Sequence, residues 1–123
     1  MSTATVLGVP VLVTITLLLT AACLVPAAGK LLAHPRMRAA AAHFGIPWSR
    51  YRLVGVAELG AAAGLLAGLV MPALGVAAAS GMTALLVGAL VAHRRAGDSP
   101  REAIPALVAL GLSVVYLALA LTH

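Results

Sequence analysis

Two long stretches almost free of charge decide what this chain is able to become. Residues 1–29 contain no Asp, Glu, Lys or Arg, and residues 53–92 contain one, Glu58. A helix rises about 1.5 Å per residue, so about 20 residues cross a hydrocarbon core about 30 Å thick. The first stretch suffices for one crossing and the second for two. Of the 123 residues, 63% are apolar and 9% charged, where soluble domains carry about 25% charged residues. Within lipid the backbone must satisfy itself as helix or closed barrel, and the alternating strands of about ten residues that a barrel needs are absent. The sequence predicts an all-α integral membrane four-helix bundle, a single domain over residues 1–123.

Local signals place the elements. Span one is expected at about Thr5 to Ala27. Spans two and three, about Tyr51 to Met71 and Ala73 to His93, are expected to fold back around Pro72, which lacks an amide hydrogen and disfavours helix at Met71, with Gly75 tolerating turn geometry. Span four is expected at about Pro100 to Thr122, with Ser99 as cap, Pro100 at the first helical position and Glu102 completing a capping box. Between spans one and two, Met37, Ala40, Ala41 and Phe44 recur at i, i+3, i+4 and i+7, which predicts a short interfacial helix over residues 35–44. Trp48 and Tyr51 mark headgroup level at the start of span two, and Tyr116 reads as an interface anchor near the outer end of span four. His123, at the terminus, is uninformative.

The net charge is +5, but the basic residues do not line a polar surface, so no nucleic-acid role is expected and the bilayer is the partner. Lys30, Arg36, Arg38, Arg50 and Arg52 lie in the first loop and Arg94, Arg95 and Arg101 in the third. The positive-inside rule makes that side cytoplasmic, with both termini outside, in the inner membrane.

Helices in lipid associate through close packing, which small residues permit. Gly60, Gly64 and Gly68 form two overlapping GxxxG steps on span two, and Gly81 and Gly88 offer a small surface on span three. Packing within the bundle is the expected use of this face, and homo-oligomerisation the alternative. Cys23 is the sole cysteine, so an internal disulfide is impossible and a thiol relay would need a partner's second thiol. The residues before it, Thr20-Ala21-Ala22, have a faint likeness to a lipoprotein cleavage site, but residues 1–29 carry no basic n-region and an uncleaved first span is expected.

Glu58 is the most informative residue. It lies about 10 Å beyond Tyr51 along the helix, a depth at which a charge must face protein or water. It is therefore expected to point into the bundle, with Gly55 beside it leaving space. Lys30 and His34 at the end of span one, and His93 and Arg94 at the end of span three, are the candidate cations for it, all at the same membrane side. The candidate catalytic or relay set is Glu58, Lys30 and His93, with Tyr51, Gly55, His34 and Arg94 around a polar pocket. The alternative is a structural tie between helices. His34, His43 and His93 share one membrane face with Glu58, but no HxxxH or HExxH spacing is present and no metal site is expected. Phosphate-cradling glycine loops, CxxC and GxSxG are absent.

Gly29-Lys30-Leu31-Leu32 followed by His34-Pro35, the Phe44-Gly45-Ile46-Pro47 turn, Val54 to Gly60 running into Gly64 to Leu69, Pro72 to Gly75, and Gly88 to Asp98 together resemble the DoxX-like family of bacterial four-helix membrane proteins. The resemblance implies four spans, with Glu58 at the family's span-two glutamate and Lys30 at its basic end of span one. The family name derives from a subunit of a thiosulfate:quinone oxidoreductase, and relatives are linked to membrane-associated oxidative-stress complexes. It thus implies an accessory or quinone-linked redox subunit; with Cys23 its only thiol and no motif for an intrinsic cofactor, electron transfer would need a bound quinone or a soluble redox or biosynthetic partner. Distantly similar four-helix cores of the emopamil-binding-protein group bind sterol-like ligands through buried acidic residues. That keeps open an enzyme or binding protein for an isoprenoid or lipid with Glu58 as acid/base. A purely structural or assembly factor is the third reading.

Overall fold

The computed structural model describes residues 3–122, with side chains from Leu7 onward; His123 lies outside the described residues. Five helices follow one another: α1 (Thr3–Leu31), α2 (Pro35–Phe44), α3 (Trp48–Ala67), α4 (Pro72–Arg95) and α5 (Ile104–Leu121). The fold is all-α, without a strand among the described residues. Leu7–Leu31, Pro72–Arg95 and Ile104–Leu121 are long and apolar enough to cross a membrane. α3 has 20 residues but carries Arg50, Arg52 and Glu58 and is less apolar. Leu7, Val25, Leu53, Val56, Val91, Val108 and Val114 all face outward. Apolar exposure on this scale identifies a lipid-facing surface.

α1 packs on α3 and α5, and α4 packs on the same two, so the four long helices close a ring while α2 lies across one end. On α1 the buried face is Thr16, Leu19, Thr20, Cys23, Ala27 and Lys30, a spacing of three and four that puts them on one stripe. The Thr16 and Thr20 hydroxyls donate to the carbonyls of Leu12 and Thr16, four residues earlier, so neither is left bare inside the bundle. Between α4 and α5, Ser113 Oγ lies 2.6 Å from Thr83 Oγ1 and donates to the Ala79 carbonyl at 3.0 Å.

The α3–α4 contact depends on glycine at particular places. A Cβ on Gly64 would stand 2.8 Å from Ala78 Cβ, and one on Gly68 would stand 2.6 Å from Gly75 Cα. Gly75 is thus a packing residue inside α4 rather than a turn residue, and a Cβ there would also overlap the Tyr116 hydroxyl. Tyr116 is 3% exposed and fills the bundle over Gly75, which corrects its reading as an interface anchor. Gly60, Gly81 and Gly88 have open space where a Cβ would stand, so they take no part in the close approach.

Helix ends depart from expectation where side chains found other partners. α1 continues to Leu31, whose carbonyl accepts from Arg52 Nη2 at 3.1 Å, and passes through Pro10 and Pro26 unbroken. α3 stops at Ala67, four residues early; Met71 is extended ahead of Pro72, the first-turn residue of α4. α5 starts at Ile104 rather than Pro100, because residues 100–103 form a turn. Ser99 serves that turn through its carbonyl, which accepts from the Glu102 amide at 3.0 Å. The Glu102 carboxylate sits beside Asp98 and His43, so the capping box does not form. α2 occupies its expected range, begun by Pro35 and closed by Gly45 in the left-handed region at φ 67°.

Gly75→Val is expected to overpack this contact at a cost of about 1–3 kcal/mol and to lower Tm in detergent. Gly81→Ala, with free space and better helix propensity, is expected to leave Tm unchanged or raised; equal losses in the two variants would contradict this packing.

Candidate functional site

Tyr51, Gly55 and Glu58 recur at i, i+4 and i+7 and share one face of α3. Lys30 lies in the last turn of α1, where the negative end of the helix dipole favours a cation. Helical side chains lean toward their own N-terminus. Because α1 and α3 run antiparallel, Lys30 leans into the bundle and Glu58 leans back toward its end, and the two meet. Nζ stands 2.8 Å from Oε1, with the side chains 7% and 10% exposed. The lysine stem crosses α3 at Gly55, where a Cβ would stand 2.7 Å from Lys30 Cβ and 3.4 Å from its Cδ. Gly55 is what lets the stem pass. Nζ also lies 4.9 Å from the centroid of the Tyr51 ring, within cation–π range.

Glu58 Oε1 is enclosed with the Lys30 ammonium 2.8 Å away, so the pair neutralises both charges where water does not reach.

Two cavities meet at this carboxylate. One of about 530 Å³ lies between α3 and α4 beneath the end of α2, with Lys30, Tyr51, Glu58 and His93 as its polar lining and Phe44, Ile46, Met82, Leu86 and Ala89 among its apolar walls. The other, of about 580 Å³, is walled by α1, α4 and α5 residues including Ala22, Pro26 and Ala109. Glu58, Met82, Leu86 and His93 border both. An apolar hollow of this size with a few convergent polar groups suits a small ligand.

Beside the first cavity, a loop carboxylate fastens two histidines. Asp98 Oδ1 lies 2.6 Å from His43 Nε2 and Oδ2 lies 2.6 Å from His93 Nδ1, and Phe44 meets both imidazoles edge-on with centroids at 5.2 and 5.0 Å. Burial works against the Asp98 charge, but the hydrogen bonds from His93 and His43 outweigh it and hold its pKa below the usual carboxylate value. Ligand atoms of His43, Asp98 and Glu102 lie within 4.8 Å of one another, close enough to hold a metal ion.

Of the four candidate cations, Lys30 is the one that reaches Glu58. His93 walls both cavities but spends Nδ1 on Asp98. His34 is exposed and caps α2 by accepting from the Arg36 amide at 3.1 Å, and Arg94 is also exposed; neither lines these cavities, which corrects their placement in the pocket. Gly81 and Gly88 line the first cavity instead of packing. Cys23 is fully buried and offers no surface thiol to a partner. Sequence reasoning missed Asp98 and Phe44, because the acid acquires its role by meeting His43, 55 residues away in the chain. The available signal was Gly97, in the left-handed region at φ 76°, which turns the chain back beside His93.

These features define an all-α membrane protein with a buried ion pair at an apolar cavity. A family model described as DoxX-like matches residues 14–121, and the chain belongs to the DoxX-like family. No curated protein and no solved structure matches it.

Gly55→Ala is expected to displace the Lys30 stem and cost about 1–3 kcal/mol, read as a lower Tm. The depressed Asp98 pKa contributes stability that is full above the unfolded value of about 3.9 and is lost as pH falls through the lower folded value. The Tm gap between wild type and Asp98→Asn is therefore expected to be open at pH 7 and to close in acid below that value; a gap independent of pH would remove Asp98 from the fastening.

Proposed function

We propose that this protein holds an amphipathic isoprenoid-like molecule inside a four-span bundle of the bacterial inner membrane. The polar head sits at Lys30–Glu58 and the apolar tail runs along the α3–α4 cavity. The observation that carries this reading is a cavity of about 530 Å³ whose walls are apolar except at the Lys30, Tyr51, Glu58 and His93 end. A buried ion pair is weak evidence for stability alone, since apolar replacements are often as stable, which favours a pair kept for binding.

α3 serves as the fourth span. Its 20 residues extend about 30 Å, its outer face carries Leu53, Val56, Leu59 and Leu66, and Glu58 is charge-matched by Lys30. Arg50 and Arg52 fall in its first turns, where long basic side chains reach the headgroups. α2 lies in the interface, with Arg38 4.9 Å above the Trp48 ring. The clustered basic residues put this end in the cytoplasm and both termini outside.

A quinone is one molecule of this class, and an accessory subunit offering it to a soluble redox partner uses the same cavity. An isoprenoid enzyme with Glu58 as acid/base is the same placement with turnover. The tie between α1 and α3 made by the ion pair is the observation behind the remaining reading, a structural role.

Gly88 lines the cavity and has room for a side chain, so Gly88→Leu fills the hollow without touching the pair. Titration with decylubiquinone and farnesol, followed by ligand-induced Tm shifts, is expected to give binding to wild type and binding at least about tenfold weaker to Gly88→Leu, a loss of about 1.4 kcal/mol. Unchanged affinity would place the ligand elsewhere, and no binding of either amphiphile would leave the structural role.

A further inference from the structure

We infer that α3 and α4 measure the tail of the bound amphiphile, and that this tail is about three isoprene units long or an alkyl chain of the same reach. This rests on the cavity reading and adds the tail class to it. A further hollow of about 360 Å³ lies between the same two helices, nearer their turn, with Gly60, Gly64, Leu74 and Ala77 among its walls. Gly81, Met82 and Leu85 line both this hollow and the first cavity, so the two form one path along the hairpin. Met82, 2% exposed, stands at their junction, and its unbranched thioether adapts to a chain passing beside it.

Helix register gives the length of that path. Gly64 lies against Ala78 and Gly68 against Gly75, and α3 and α4 run antiparallel. Glu58 is six residues before Gly64 and Ala84 is six after Ala78, so the head-group end at Glu58 stands level with Ala84. From Ala84 to Gly81, the last α4 residue of the first cavity in this direction, the helix rises about 4.5 Å. That length admits a single isoprene unit, whose four chain bonds advance about 5 Å when extended. A longer tail has to continue past Met82. From Ala84 to Leu74, the far wall of the further hollow, α4 rises about 15 Å, which admits three units. There the Gly68 and Gly75 backbones meet with no room for a Cβ, and the path closes. The open space at Gly60 and Gly81 is thus the bed of the tail, and the glycine contact next to the turn is its end-stop.

The test uses the full chain in lipid nanodiscs and three alcohols that differ only in tail length: geraniol, farnesol and geranylgeraniol, with two, three and four isoprene units. Binding is read from Tm shifts and from displacement of decylubiquinone, followed by recovery of the fluorescence of Trp48, the sole tryptophan. Affinities are expressed per mole fraction in the lipid, so that partitioning into the bilayer does not itself reward a longer tail. Farnesol is expected to bind at least about threefold more tightly than geraniol, because its third unit gains packing contacts between the helices, and geranylgeraniol is expected to bind no more tightly than farnesol. Gly60→Leu from α3 and Ala77→Leu from α4 each fill the further hollow without touching the ion pair or the first cavity. In both, the advantage of farnesol over geraniol is expected to disappear while geraniol still binds; either variant alone suffices if the other does not fold. Equal affinities for all three alcohols in wild type, affinity that still rises with the fourth unit, or an advantage of farnesol that survives in the variants overturns the tail length and leaves the cavity reading standing. Failure of decylubiquinone and all three alcohols to bind overturns the cavity reading and this inference with it.

Discussion

A lysine and a glutamate that meet away from water set the terms for the rest of this molecule. Neither charge is tolerable alone between lipid-facing helices, so α1 and α3 must lie where Nζ reaches Oε1. That requirement fixes the antiparallel lean of the two side chains and the absence of a side chain at Gly55. It also determines which end of the bundle stays open. The space beside a neutralised pair can remain lined by apolar groups, because the polar atoms have already been concentrated at one point.

The two ends of the α3–α4 hairpin behave differently for a reason that small residues make plain. Toward the turn, Gly64 and Gly68 bring the backbones together against Ala78 and Gly75, and Tyr116 seals the contact. Away from the turn, Gly81 and Gly88 face open space and the helices diverge around the cavity. Glycine thus serves two opposite purposes in one hairpin, close approach at one end and an unfilled wall at the other. The Ser113 hydroxyl, bonded to Thr83 and to the Ala79 carbonyl, holds α5 to α4 between these regions.

At the open end, Asp98 gathers His43 from α2 and His93 from α4, and with them Phe44. A ten-residue helix with little buried surface of its own is thereby tied to the bundle. The wall it contributes to the cavity depends on a charged contact in the loop, whereas the opposite end depends on packing.

The sequence by itself determined the class of fold and the unusual residue within it. Charge-free stretches of helical length leave lipid as the only solvent, and a lone glutamate at that depth must face inward; both follow from transfer energetics that act residue by residue. The range of α2 was legible from Pro35 and Gly45 because caps are local. Tertiary structure alone decided which cation reaches Glu58, that His34 and Arg94 lie away from the cavities, which glycines pack and which line space, and that Glu102 turns to Asp98 instead of capping α5. Each of these depends on residues far apart in the chain arriving within a few ångströms, and hydrogen-bond direction and van der Waals contact are properties of that arrival. Periodicity told which face of α3 Glu58 occupies; only the packed bundle showed Lys30 beside it.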